Sequence, residues 1–484
     1  MTRQFGPLLK TWLRLLMPSF IADVFYPKHR PTWKLHPTSY LDGLRGIASI
    51  LVFFCHYTEN NFGELTRWYG VNEGIPSGLI QLPYIRVIFS GRPMVHIFFV
   101  ISGFVLSYKP IKAIHARDMD KCFTALSSST FRRAFRLFGP CLVSTFFIMC
   151  TAQLGLHKVK QPSWAHELAN WRHAVFAQIT WPWAWDNDLH PWYDHHLWTI
   201  PIEFAHSMLL FMVILMVSRV RLRIRQSIVV GLIGYCLICG KWAGFEFLAG
   251  MLLAEFHILQ HARRPGWESP EKDIKSPRSV LRTLKTVFCV SILLVGLYIA
   301  GWPNIDADKT PGIRYLLANT PWPYSQLDET YPQKLFFGLS AVGIVWVVGE
   351  FPVIKRFFEG PLAQYCGRIS YAIYICHGPV LDYYEQRVMG TPFIPAQGEP
   401  GTEGFREAVL ARGIKGLAGM STRAQMEIGW ILGLFILGPM AVWAADLFWR
   451  GVDDTVVKVG RKIELACLDD PDEDPRSQGY SIAA

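Results

Sequence analysis

The chain has 484 residues, 51% of them hydrophobic and only 18% charged, with a formal net charge of +10. Soluble domains carry charge on about a quarter of their residues, so a string of soluble domains is excluded. The basic residues flank long apolar runs and do not cover a polar face, which argues against a nucleic-acid partner and for a lipid bilayer.

The chain opens with MTRQFGPLLKTWLRLLMPSF, in which Lys10 and Arg14 alternate with Leu8, Leu9, Trp12, Leu13 and Leu16. This pattern predicts no signal peptide but an amphipathic basic segment on the membrane surface, within a cytoplasmic N-terminal segment of residues 1–38. A spanning helix needs roughly 20 mostly apolar residues. Spans are predicted near 41–58, 92–108, 136–156, 197–217, 226–240, 242–260, 286–302, 334–350, 367–386 and 427–448. The fold class is therefore all-α: a polytopic transmembrane helical bundle of about ten spans filling residues 39–450, followed by a cytoplasmic disordered tail, 451–484.

Orientation follows from where lysine and arginine collect. Residues 109–136, the stretch after the fourth span (Arg219, Arg221, Arg223, Arg225) and residues 261–285 are rich in them. The alternate loops 59–91, 157–196 and 303–333 are longer yet poorer in basic residues. Both termini are expected on the cytoplasmic side. The fifth and sixth spans then form a tight helical hairpin turning at Lys241. Cys236 and Cys239 have CxxC spacing but sit in an apolar stretch with no second pair, so no zinc site is read there.

Ionisable residues inside spans are costly and mark candidate functional positions. Arg45 and His56 lie eleven residues apart on the first span, which puts them on one helix face and about 16 Å apart along the axis. That is about the reach of a pantetheine arm, which would let a cation hold phosphates at one end while an imidazole works on a thioester at the other; the alternative reading is that Arg45 snorkels and His56 only hydrogen-bonds near the far interface. Before the third span, Arg133 and Arg136 lie one turn apart beside Arg132, and arginine suits bidentate phosphate contacts, although positive-inside bias also accounts for them. Glu203 lies about one turn inside the fourth span and can orient an imidazole serving as general base. Ser102 beside Gly103 reads as a small residue for helix packing. His377, midway along the ninth span, reads as structural or as part of the pocket lining.

The loop WPWAWDNDLHPWYDHHLW is dense in tryptophan and histidine. Interfacial belts account for most of this; the functional reading is an aromatic lip, ending at Trp198, that stacks on an acceptor. His190, His195, His196 and His206 lack a cysteine or paired carboxylate to support a metal site, so none is expected.

The runs YLDGLRGIASILVFFCH, GRPMVHIFFVISGFVLS, RRAFRLFGP, LWTIPIEF and CGRISYAIYICHGP, in that order over about 39–386, resemble the acyltransferase 3 family of multi-pass membrane acyltransferases. The resemblance implies an acyl-CoA donor, acetyl-CoA foremost, bound from the cytoplasmic side by Arg45, Arg133 and Arg136, with His56 essential. Thr199, Pro201 and Phe204–Ala205–His206 depart from the family's segment around Glu203, which leaves that residue's role open. The expected activity is transfer of a short acyl group to a hydroxyl of a secondary metabolite or glycan: His56 takes the hydroxyl proton, Glu203 orients the ring, and Trp198 and His377 line the acceptor pocket. The rival reading, a secondary transporter of an organic anion, suits the Pro and Gly residues inside the third and fourth spans but finds no repeat relating the two halves.

Overall fold

The computed structural model describes residues 16–25, 35–71, 74, 76–156, 160–262, 280–390 and 413–468. Every regular element among them is a helix. Ten are long: α1 (Ser39–Asn61), α2 (Arg92–His115), α3 (Met119–Gln153), α4 (Thr199–Val217), α5 (Leu222–Ile238), α6 (Trp242–Ala262), α7 (Val280–Ala300), α8 (Tyr331–Glu350), α9 (Pro361–Met389) and α10 (Arg423–Phe448). Each apolar stretch read from the sequence falls on one of them, in the same order.

Among the described residues, seven helical segments are long and apolar enough to cross a membrane, and these fall on α2, α3, α4, α6, α7, α8 and α10. The helices α1, α5 and α9 do not meet that test. α5 has only 17 residues; α1 carries Asp42, Arg45 and Glu59, and α9 carries Arg368, Asp382, Glu385 and Arg387. Part of that polarity is turned onto neighbouring helices, since Arg45 Nε of α1 donates to Ser370 Oγ of α9 at 3.0 Å.

Several boundaries have visible causes. α3 starts well before the apolar run because Asp118 caps it, its carboxylate accepting from the Lys121 amide, with Asp120 in the first turn. The turn between α5 and α6 is a Schellman motif: Gly240 takes φ +68°, Lys241 N–H donates to Cys236 O at 2.8 Å and Gly240 N–H to Leu237 O at 3.3 Å. The chain therefore reverses at Lys241.

Two helix crossings organise the bundle, and both depend on glycine. A Cβ on Gly46 of α1 would sit 2.2 Å from the Gly367 amide nitrogen of α9. A Cβ on Gly103 of α2 would sit 2.2 Å from the Phe247 carbonyl of α6, and one on Gly250 would sit 2.2 Å from the Val100 carbonyl. Without a hydrophobic drive between helices in lipid, such backbone approach supplies the packing contacts. Ionisable side chains inside the bundle meet one another: Arg225 pairs with Glu255 at 2.5 Å, and His96 lies 2.5 Å from Glu246.

Both ends of the chain are docked where described. Trp443 Nε1 of α10 donates to Leu16 O at 2.7 Å, and Arg450 to Met17 O at 2.8 Å. The basic stretch with Lys10 and Arg14 lies outside the described residues, as does most of the basic 261–285 loop. The tail expected to be disordered from 451 begins instead as a helix, α11 (Asp454–Ala466). Val456, Gly460 and Ile463 make a stripe at helical spacing, Val456 lying against Gly139 and Gly460 against Phe135 of α3, with Arg132 paired to Glu464 at 3.0 Å. The acidic remainder, 469–484, lies outside the described residues.

Candidate active site

The sequence-predicted arginines converge. Arg45 of α1, Arg133 and Arg136 of α3 and Glu203 of α4 line one cavity of about 380 Å³, with Asp42, Ser370, Tyr371 and Tyr374. Arg45 is held by α9, its Nη2 donating to Gly367 O at 3.2 Å, and lies 3.4 Å from Asp42. Arg133 is held by α4: Nη2 donates to Glu203 Oε1 at 2.7 Å and Nε to Ser207 Oγ at 2.9 Å. Arg136 makes no hydrogen bond or ion pair among the described residues and is exposed. The cavity thus sets three guanidinium groups against two carboxylates, and its other wall is apolar, formed by Val95, Phe98, Ile101 and Val105 of α2.

Glu203 is engaged differently from the sequence reading. Its carboxylate accepts from Arg133 and from Ser102 Oγ, the latter at 2.9 Å, and makes no contact with His56. The reason is rotational: on α4 it faces the α2–α3 side, while His56 meets the segment that leads into α4. Ser102, read as a packing residue, therefore lies on the cavity wall and supports the Arg133–Glu203 pair.

His56 stands in a histidine cluster instead. Its ring centroid lies 4.4 Å from that of His196 and 5.4 Å from that of His377, with His196 and His377 4.6 Å apart. Each ring has its Nδ1 directed at an acceptor. His196 Nδ1–H donates to Asp194 Oδ1 at 3.0 Å and His377 Nδ1–H to Ile373 O at 3.2 Å, while His56 Nδ1 faces Glu59 Oε2 at 3.8 Å. For His196 and His377 the acceptor-only partner fixes the proton on Nδ1 and leaves Nε2 basic. Among the described residues the Nε2 of His377 has no hydrogen-bond partner. His56 keeps 32% of its side-chain surface open.

Asp194 lies in the loop before α4. Burial raises its carboxyl from the usual range to about 6, against the pull of His377 and of the His196 backbone N–H. The pair approaches α9 closely because residue 378 is glycine: a Cβ there would lie 2.5 Å from His196 Nδ1 and 2.9 Å from Asp194 Oδ1.

Tyr374 connects the two regions. It lines the arginine cavity, its hydroxyl bonds the His196 carbonyl and lies 2.6 Å from Thr199 Oγ1, and its ring is 5.9 Å from that of His377. Trp198 is placed elsewhere: it packs on the core around Phe99, Ile202 and Trp242, with its ring 6.4 Å from that of His190. One ring nitrogen from each of His56, His196 and His377 lies within 4.8 Å of the others, close enough to share a metal ion. Asp194 was not singled out from sequence, and His196 was read only as one of four histidines without support for a metal site; the signal was the Asp-x-His pair just ahead of the Glu203 helix.

Comparison with known proteins identifies the family of the chain. The acyltransferase domain of the acyltransferase 3 family matches residues 38–450. The O-acetyltransferase PaAT-1 of Phomopsis amygdali is 32% identical over 404 residues, covering 76% of each chain. The acyltransferase clz18 of Cochliobolus lunatus is 26% identical over 407 residues, 72% of this chain and 84% of its own. The acyltransferase R4 of a Phoma species is 25% identical over 399 residues, 70% of this chain and 82% of its own. No solved structure matches the chain. With its multiple membrane helices and the family's domain across most of its length, the chain is a multi-pass integral membrane enzyme that belongs to the acyltransferase 3 family.

Proposed function

We propose that the protein transfers an acetyl group from acetyl-CoA to a hydroxyl of a small secondary metabolite. The observation that carries this reading is the gathering of Arg45, Arg133 and Arg136 around one cavity that ends at Tyr374, against the histidine cluster. Guanidinium groups match phosphate oxygens, so this end takes the 3′,5′-ADP part of the donor. The pantetheine arm runs along α1 for roughly 16 Å, past Thr199 and Tyr374, to His56. The printed name of PaAT-1 supports acetyl as the group moved.

In the chemical step, His56 Nε2 removes the acceptor's hydroxyl proton as its oxygen attacks the thioester carbonyl. The C–O bond forms, the C–S bond breaks, and the imidazolium returns the proton to the CoA thiolate. Glu59 orients His56, and His196, held by Asp194, packs its ring from the other side. Glu203 acts through Arg133, fixing that guanidinium for the donor. In this reading His56 acts with its Nε2 free of metal.

In this topology all ten long helices cross the bilayer and both ends of the chain lie on the cytoplasmic side. α1 and α9 cross with Arg45 of α1 bonded to Ser370 and Gly367 of α9. The test is titration of purified protein with CoA and with acetyl-CoA labelled in the acetyl group. CoA binding together with His56-dependent loss of the thioester is expected; a protein that does neither is not an acyl-CoA enzyme.

A further inference from the structure

A second cavity, of about 300 Å³, lies beyond the histidine cluster and shares no lining residue with the arginine cavity. Asp194 and His195 form one side of it, Asp382, Gln386 and Arg387 of α9 another, and Trp192 stands at its edge, 76% exposed. The order of residues along α9 fixes the relation between the two spaces. Ser370, Tyr371 and Tyr374 line the first cavity, His377 belongs to the cluster, and Asp382 to Arg387 line the second. At 1.5 Å per residue, Gln386 lies about 18 Å along the helix from Tyr374, with His377 between them. The cluster is therefore a partition with a cavity on each side.

We infer that the second cavity is the acceptor subsite, and that it takes an uncharged, hydroxyl-bearing small molecule with a flat apolar face. The inference rests on the acyl-transfer reading of His56. Charge separates the two spaces: the first has three arginines to two carboxylates, whereas the second has Asp194 and Asp382 to Arg387 alone, so the donor's phosphates are not drawn to it. Asp382, Gln386 and Arg387 make no side-chain hydrogen bond or ion pair among the described residues, which leaves both donors and acceptors for hydroxyl groups. Trp192 supplies an open aromatic face for stacking. The volume is at the lower end of small-molecule sites, which suits a compact metabolite and excludes a polymer chain held along its length. Asp194 belongs to the cavity wall and to His196, so an acceptor hydroxyl seated here lies beside the cluster that contains His56.

The experiment is photolabelling of the full-length protein with 4-(hydroxymethyl)benzophenone, an uncharged, hydroxyl-bearing probe with two flat apolar rings, followed by peptide mapping. Labels are expected on residues 192–195 and 382–387, undiminished by saturating CoA. Trp192→Ala should weaken probe affinity about 2- to 12-fold, the size of a lost aromatic contact. Gln386→Trp, which fills the space, should abolish labelling. Both variants should keep wild-type CoA affinity, which also shows that they fold. Labels in the arginine cavity, labelling competed by CoA, or no labelling above background at either segment would overturn the assignment. Loss of CoA binding in the Arg45 and Arg136 variants together with His56-dependent turnover would leave the acyl-transfer reading standing even then.

Discussion

Gly378→Ala is the smallest change that reaches the proposed chemistry without touching a reacting group. The added methyl would lie 2.5 Å from His196 Nδ1 and 2.9 Å from Asp194 Oδ1, where ordinary contact begins near ~3.5 Å. The imidazole must retreat by about 1 Å, and its 3.0 Å bond to Asp194 then opens beyond hydrogen-bonding distance. His196 packs against His56 at 4.4 Å, so the shift passes to the base. A misplacement of about 1 Å costs on the order of 10²-fold in rate. Helix propensity runs the other way, since alanine favours a helix interior over glycine by about 1 kcal/mol. Turnover of labelled acetyl-CoA at saturating donor should fall about a hundredfold, with CoA affinity unchanged because residue 378 does not line the arginine cavity. Near-normal turnover would show that the Asp194–His196 pair has no part in setting His56.

Glu203→Gln keeps an acceptor for Ser102 but removes the charge facing Arg133. Donor affinity should drop by about 10-fold or more, the worth of one charged hydrogen bond, while turnover at saturating donor stays near wild type; a turnover loss of ~10²–10⁴ at unchanged affinity would instead put Glu203 at the base. Arg136→Ala should raise the apparent donor constant about 10- to 150-fold without a fold defect, since the side chain makes no hydrogen bond or ion pair among the described residues and only a longer-range attraction to Asp453 is lost; unchanged CoA affinity would remove it from the donor site. Zn²⁺ should inhibit by occupying the three imidazoles, and EDTA should restore full rate. Activity lost to EDTA and regained with Zn²⁺ would mean that a metal, not a free imidazole, does the work.

The amphipathic and apolar runs made the helices legible, because a run of about twenty apolar residues has few other solutions. Arg45, Arg133, Arg136 and Glu203 could be picked out as charges near span ends, and they line one cavity. What a single sequence hides is how helices are rotated against each other. The 100° step places His56 on the face of Arg45 but says nothing of which loop covers it, so the approach of His196 was invisible. For the same reason the depth of Glu203 was readable, and its partner was not. Gly378 carried a signal only in retrospect: a glycine beside a buried histidine marks a close approach. The helix Asp454–Ala466 was hidden by the charged composition around its short apolar stripe.

The most direct measurement replaces the base itself. Full-length His56→Ala, purified beside the wild type, should bind CoA with unchanged affinity, because the arginine cavity does not include residue 56. Its transfer of labelled acetyl at saturating donor should fall by ~10²–10⁴-fold, the contribution of a general base. Wild-type transfer by this variant would contradict the account at its centre.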